Sequence, residues 1–272
     1  MKRKDFIRNS SGILLGSIIS PNLMANFNPS STINMGVIGT GGRGKGIIKL
    51  LNNLPGINVI AVCDTLSFRL KEGFDLIRNN KNSKLYNDYR KLLDNKNIDG
   101  VIISTPLNTH DKIAVDALDA DKHVYCEKTL AKGAAATRRI LNKCKTSNKI
   151  FQTGHQYHSS RLYKELVNMI EDGKVGKITS IEAQWNRNGN WRKPVPDPTL
   201  ERQINWRMYR EYSFGLLAEL SSHQIDFANW IIKANPKKAL GIGGVNYWKD
   251  GRETYDNIKV IYEYPKGLKA TY

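Results

Sequence analysis

Three short stretches of the 272-residue chain carry residue types and spacings that could do chemistry. The first is VIGTGGRGKG, where Gly39, Gly41 and Gly44 form a G-x-G-x-x-G turn that opens from an apolar run into a helix-like one. Such glycines permit a tight turn and close backbone approach to a pyrophosphate resting at a helix N-terminus. Asp64 ends the next apolar run, 25 residues beyond Gly39. An acid there accepts hydrogen bonds from the adenosine ribose and repels a 2′-phosphate, which predicts NAD rather than NADP. Arg43 and Arg69 are cations that could still accommodate a phosphate.

The second stretch is HVYCEKT. The apolar run Val124–Cys126 stops at an adjacent acid and base, Glu127 and Lys128. They could be a surface ion pair, a helix-terminal acid, or groups presented to a ligand. The third is ELSSH, where Glu219 and His223 stand one helical turn apart and so can face one ligand. His223 is the better general base, because imidazole titrates near neutrality. Glu219 would orient it or grip a substrate hydroxyl, and Asp226 is a further candidate contact. His155 and His158 have no third ligand at suitable spacing, and the cysteines resemble no zinc site, so no metal is expected. Around the proline-rich loop RKPVPDPTL stand Trp185, Trp191 and Trp206 with Arg187 and Arg192. Aromatic faces beside planar donors suit a polyhydroxylated sugar ring.

The elements that must position these groups follow from periodicity. From Ile33 to Gly154, short apolar runs alternate with amphipathic ones: INMGVIG, INVIAVCD, IDGVIIST, HVYCE and KIFQTG read as strands with helical stretches between them. Near-continuous apolar strands separated by helices predict a doubly wound parallel sheet, a Rossmann domain over 31–154. Ligands of such a sheet lie outside the carboxyl ends of the strands, where STPLNTH (Ser104 to His110) and CEK (Cys126 to Lys128) both fall. Beyond Gly154 the texture changes: a helix ending at Gly173, a strand in KITSIEAQWNRN, a helix over GLLAELSSHQIDFANWII and a hairpin turning at Pro265 and Gly267. Val260, Tyr262 and Tyr264 share one face, as a half-covered antiparallel strand requires. The expectation for 155–272 is an α+β domain with an open, mostly antiparallel sheet, incomplete because Tyr272 falls inside the second arm of the hairpin.

Composition narrows the class. Only 3 cysteines in a chain with 40% hydrophobic and 25% charged residues exclude a disulfide scaffold. The formal charge of +17 is spread along the chain without a nucleic-acid-binding signature. It is expected to aid solubility and attract anionic ligands or surfaces. Residues 1–30 read as an export signal, basic then apolar then polar, with too short an apolar part to span a bilayer. RKDFI (Arg3 to Ile7) is similar to a twin-arginine signal with Lys4 in place of the second arginine, which implies a periplasmic protein that meets the membrane only during export. A basic tail on a cytoplasmic protein is the alternative.

The glycine turn, the TP-x-x-x-H segment (Thr105, Pro106, His110) and the EK pair occur in the order seen in Gfo/Idh/MocA oxidoreductases, and the chain resembles that family from about Ile33 to Tyr272. MIEDGKVGKI and ELSSHQIDFANW resemble its second domain. Two positions depart from the family pattern: Thr129 replaces the proline after the EK pair, and Glu219 replaces an aspartate. The resemblance implies that Lys128 contacts the reacting hydroxyl beside the nicotinamide, where a cation stabilises developing alkoxide charge. It implies cofactor contacts from Gly39, Thr40, Gly41, Gly42, Arg43, Gly44, Asp64, Ser104, Thr105, Pro106, His110 and Glu127, with Glu127 on the nicotinamide ribose or orienting Lys128. Substrate contacts would come from Lys128, His155, Arg187, Trp191, Arg192 and His223. The expected activity is NAD-dependent hydride transfer to or from a ring carbinol of a sugar or glycoside, with a homo-oligomer formed through the second sheet. Glycoside cleavage by transient oxidation and elimination, and sugar or cofactor binding without catalysis, are the alternatives.

Overall fold

The computed structural model describes residues 32–272, so the export signal expected over 1–30 lies outside the described residues. The first half forms a six-stranded parallel sheet in the order β3-β2-β1-β4-β5-β6. Its strands are β1 (Ile33–Ile38), β2 (Ile57–Cys63), β3 (Lys84–Tyr86), β4 (Gly100–Ile103), β5 (His123–Cys126) and β6 (Phe151–Thr153). The helices between them are α1 (Gly42–Leu51), α2 (Ser67–Asp75), α3 (Tyr89–Leu93), α4 (His110–Asp119) and α5 (Ala134–Thr146). Residues of β4 are buried throughout, as expected of a central strand covered on both faces. One apolar layer joins Ile103, Val124 and Cys126 to Ala114, Ala117 and Ile140 of α4 and α5. The other joins Val37, Val62 and Ile102 to Ile47 and Ile48 of α1.

The second half contains α6 (Arg161–Glu171), β7 (Ser180–Glu182), the short α7 (Glu201–Ile204), α8 (Ser222–Ile232), β8 (Lys238–Gly244), β9 (Asn257–Glu263) and β10 (Lys269–Thr271). Its four-stranded sheet has the order β7-β10-β9-β8, antiparallel except where β7 runs with β10. Val260, Tyr262 and Tyr264 are buried against Ala228 of α8 and Ala270. The hairpin turns at Lys266 and Gly267, both at positive φ. Among the described residues no helix is long and apolar enough to cross a membrane.

Two strands carried too little signal in the sequence. β3 is a three-residue edge strand, and β8 reads KALGIGG, whose glycines have low strand propensity. β8 forms nonetheless because all seven of its residues pair with β9. The expected strand over KITSIEAQWNRN shrinks to Ser180–Glu182. The long helix expected over GLLAELSSHQIDFANWII opens into a wider, i→i+5 turn at Leu217–Ser221 before α8 begins.

Candidate active site

The glycine turn is set by close approaches on both sides. Gly39 has φ +90, and a Cβ there would come 2.7 Å from the backbone carbon of Ser104. A Cβ on Gly44 would sit 1.9 Å from the Gly39 oxygen. By contrast, a Cβ on Gly42 would meet nothing within 4 Å, and one on Gly41 would meet only the Arg69 guanidinium, at 3.8 Å. The helix α1 therefore starts beside open space. No side chain caps it, and its first N–H groups have no intrahelical partner. A dinucleotide pyrophosphate fits this cradle, with Gly41, Gly42 and Arg43 supplying donors.

Neighbouring side chains lock the turn. Ser104 Oγ donates to the Gly39 carbonyl at 2.6 Å. Asp64 Oδ2 accepts from Thr40 N at 2.8 Å and from Thr40 Oγ1 at 3.2 Å, while Oδ1 accepts from Leu66 N at 3.0 Å. Asp64 is thus a brace of the phosphate turn. With two acceptor sites on each carboxylate oxygen, Oδ1 keeps one for a ribose hydroxyl.

The ends of β4 and β5 are tied together by His110. Its Nε2 faces the Thr105 carbonyl and its Nδ1 the Thr129 carbonyl, both at 3.0 Å. The neutral ring donates to one of these carbonyls and the imidazolium to both; burial nevertheless holds the pKa of the imidazole below its ordinary value. His110 sits between the two loops and also lines the cleft. Pro106 opens the short turn Leu107–Thr109, and it is Leu107 that lines the cleft.

Glu127 is buried and paired with Arg43, whose Nε reaches Oε1 at 2.7 Å. Burial is the largest single influence and works against the charge on Arg43, but the hydrogen bond and charge of Glu127, with Tyr125, together outweigh it and raise the pKa. Among the described residues Glu127 makes no hydrogen bond to Lys128; its Oε1 also accepts from Tyr125 Oη at 3.4 Å. Lys128 instead donates from Nζ to the Glu219 carbonyl at 2.5 Å and lies 4.0 Å from the Glu219 carboxylate. Burial lowers the Lys128 pKa, and the charge on Glu219 opposes that shift. The Lys128–Thr129 peptide is cis. Thr129, which replaces the expected proline, donates from Oγ1 to the Ala218 carbonyl at 2.5 Å and so binds the first half to the second.

Across the cleft, the wide turn at 217–221 separates the two residues that spacing had put on one ligand. Glu219 is 4% exposed and turned away from the cleft. Its Oε1 accepts from Ser213 Oγ at 3.0 Å and its Oε2 from Arg207 Nε at 3.0 Å. It does not line the cleft and makes no hydrogen bond to His223, whose Nδ1 is buried without a partner among the described residues. The His223 ring is positioned by packing: Tyr157 lies 4.8 Å away and His155 packs edge-on at 5.9 Å. Burial first, and then the charge on Lys128, push the His223 pKa down to about 4. The imidazole is therefore neutral at pH 7.

Glu127, Lys128 and His223 meet in one cleft of about 220 Å³, together with Arg43 and the Ser104–Thr105 turn. Four expected substrate residues lie elsewhere: Arg187, Trp191, Arg192 and His155. Arg192 is held in an ion-pair cluster by Glu201 and Asp250. Arg187 is exposed, Trp191 is half-buried, and neither lines the cleft. A proline-rich loop gives no periodicity from which to aim a side chain. His155 lies behind His223 and lines a neighbouring groove with Asp226 and Asn229. Asp226 Oδ2 accepts from His158 Nε2 at 2.8 Å and lines that groove instead of the cleft. Sequence reasoning missed Arg207, Gln156 and Leu107, which do line the cleft; the only signal for Arg207 was its adjacency to Trp206, which also lines it. Among the described residues no three or more His, Cys, Asp or Glu side chains gather in a way that could hold a metal ion.

Comparison with known proteins gives the same architecture. Residues 33–155 match the model of an oxidoreductase family with an NAD-binding Rossmann fold, and residues 163–272 match that of the GFO/IDH/MocA C-terminal domain. An inositol 2-dehydrogenase of Salmonella paratyphi B is 29% identical over 209 residues, which is 76% of this chain and 56% of that protein. A glycosyl hydrolase family 109 protein of Shewanella woodyi is 28% identical, over 74% of this chain and 43% of its own length. The chain thus spans about half the length of these curated relatives. Among solved structures, the myo-inositol dehydrogenase of Lactobacillus casei in complex with NAD(H) and myo-inositol has the same fold, with a TM-score of 0.71 at 23% identity over 88% of this chain and 66% of that one.

Proposed function

Because the chain belongs to the Gfo/Idh/MocA oxidoreductase family, we propose that it is an NAD-dependent oxidoreductase acting on a ring carbinol of a sugar or sugar alcohol. The observation that carries this reading is the convergence of Lys128 and His223, from different halves of the chain, on the cleft beside the phosphate turn. The nicotinamide of a bound NAD supplies the hydride acceptor. Lys128 keeps two of its three N–H donors after binding the Glu219 carbonyl. They can hold the carbinol oxygen and stabilise its negative charge as its proton leaves. His223, neutral at pH 7, takes that proton. The paired Arg43 and Glu127 close the cleft on the cofactor side, and Trp206 gives the ring an apolar wall.

Energy transfer from tryptophan to NADH and, separately, NADPH tests the reading. Saturable binding with NADH preferred is expected. Lys128→Ala should keep that binding and lose turnover of inositols and hexoses, by about 100-fold or more for a group aimed at developing charge. Turnover retained in the variant would remove the role of Lys128. The same parts would serve redox-assisted glycoside cleavage, a reading favoured by similarity to the glycosyl hydrolase family 109 protein. Release of aglycone without net NADH would distinguish it. We also propose export to the periplasm by residues 1–30 and pairing of subunits through the second sheet, readable by cell fractionation and by sedimentation.

A further inference from the structure

The cations of the cleft are not equally neutralised. Arg43 has its own partner in Glu127. Lys128 and Arg207 share a single carboxylate, Glu219, which lies behind them and takes no part in lining the cleft. Arg43, Lys128 and Arg207 thus face only two carboxylates, Glu127 and Glu219, and the cleft carries a positive charge in excess.

Arg207 is fixed on three sides. Its Nε donates to Glu219, its guanidinium stacks over the Trp206 ring at 4.2 Å, and its own carbonyl accepts from Thr254 Oγ1 at 2.9 Å. Neither of its Nη groups has a partner among the described residues, although the side chain is less than half exposed. A guanidinium held by its Nε edge and one face presents its two Nη groups side by side. That geometry matches the two oxygens of a carboxylate and costs little side-chain entropy to engage.

We propose, resting on the oxidoreductase reading above, that the sugar bound in this cleft is acidic, a hexuronate or a hexuronate glycoside, and that Arg207 holds its carboxylate through both Nη groups. The carboxylate supplies the missing charge, and the Trp206 face supports the ring next to it. Arg207 is then the residue that separates acidic from neutral sugars, while Lys128 and His223 act on the carbinol.

The test is calorimetric titration of the NAD-saturated full chain with D-glucuronate, D-galacturonate and D-mannuronate, against glucose, galactose and mannose and against the hexose 6-phosphates. At least one hexuronate should bind about ten-fold or more tightly than its hexose, a difference of about 1.4 kcal/mol, and the gap should narrow with added salt. In Arg207→Gln the preference should collapse. Arg207→Lys keeps the charge beside Glu219 but loses the paired donors, so it should retain only part of the preference and serves if the glutamine variant does not fold. Equal binding of hexoses, a preference that survives in both variants, tighter binding of the phosphates, or binding of none of these sugars would overturn the proposal. Failure of the unmodified chain to bind NADH would instead remove the oxidoreductase reading itself.

Discussion

Glu219→Gln is the substitution that reaches furthest into this site. The glutamine is nearly isosteric, so it removes charge without opening a cavity, and its oxygen can still accept from Ser213. What it loses is the carboxylate 4.0 Å from Lys128 Nζ and 3.0 Å from Arg207 Nε. Two charges about 4 Å apart interact by about 4 kcal/mol at an effective dielectric of about 20. The Glu219 carboxylate is shared with Arg207 and the cleft admits water, so about half of that is assigned to Lys128. The Arg207 pair is exposed on one side, which limits it to about 1 kcal/mol.

The expected loss of stability is therefore about 3 kcal/mol, at the low end for breaking a buried pair by removing one partner. For a folded unit of this size it lowers the melting temperature by about 6–12 °C. Urea unfolding followed by tryptophan fluorescence measures it directly and requires no substrate. Because the partners touch, a double-mutant cycle with Arg207→Gln should show a coupling of at least about 0.5 kcal/mol. A loss below about 1 kcal/mol, or strictly additive single substitutions, would refute the view that Glu219 is the shared counter-charge of the cleft.

Gly44→Ala should abolish NADH binding and lower stability, since its Cβ would fall 1.9 Å from the Gly39 carbonyl; saturable NADH binding by the variant would show that the turn can move aside. Acid should destabilise the chain before its carboxylates titrate. Burial lowers the pKa of His110, His155 and His223, so below the unfolded value of about 6.5 the unfolded state binds protons that the folded state refuses. The stability is complete above about pH 6.5 and declines as the pH falls toward about 4, the His223 value, by up to about 1.4 kcal/mol per pH unit for each histidine. Urea midpoints at pH 7.5, 6 and 5 read the slope, and a flat profile would contradict the neutral, buried histidines.

The part of the site carried by the first half was legible because parallel topology decides it. Once INMGVIG, IDGVIIST and HVYCE are strands of one doubly wound sheet, the residues that follow them must gather at one edge. Gly39, Ser104, Glu127 and Lys128 duly gather there. Their individual bonds were not legible. His110 lies between the Thr105 and Thr129 carbonyls, and Asp64 spends most of its acceptors on Thr40 and Leu66. A motif states which residues stand at a strand end, but not whether they face the ligand or hold the loop that does.

In the second half the same limit becomes more severe, because side-chain bonds between distant segments, and not strand order, decide where each group points. Arg192 and Arg207 are both arginines next to a tryptophan, and composition alone cannot rank them. Asp250, far along the chain, accepts from Arg192 and takes it out of the site, while Glu219 takes only the Nε of Arg207 and leaves the rest of its guanidinium toward the cleft. The helical-turn spacing of Glu219 and His223 misled for a related reason. The wide turn at 217–221 puts the acid behind the cleft and the imidazole in it. From there Glu219 holds Lys128 by its carbonyl and Arg207 by its carboxylate, so one buried residue aims both the cation assigned to the reacting oxygen and the cation assigned to the acidic substituent. Neutralising Glu219 therefore loosens Arg207 and removes the counter-charge of Lys128, while the carbonyl that holds Lys128 stays in place.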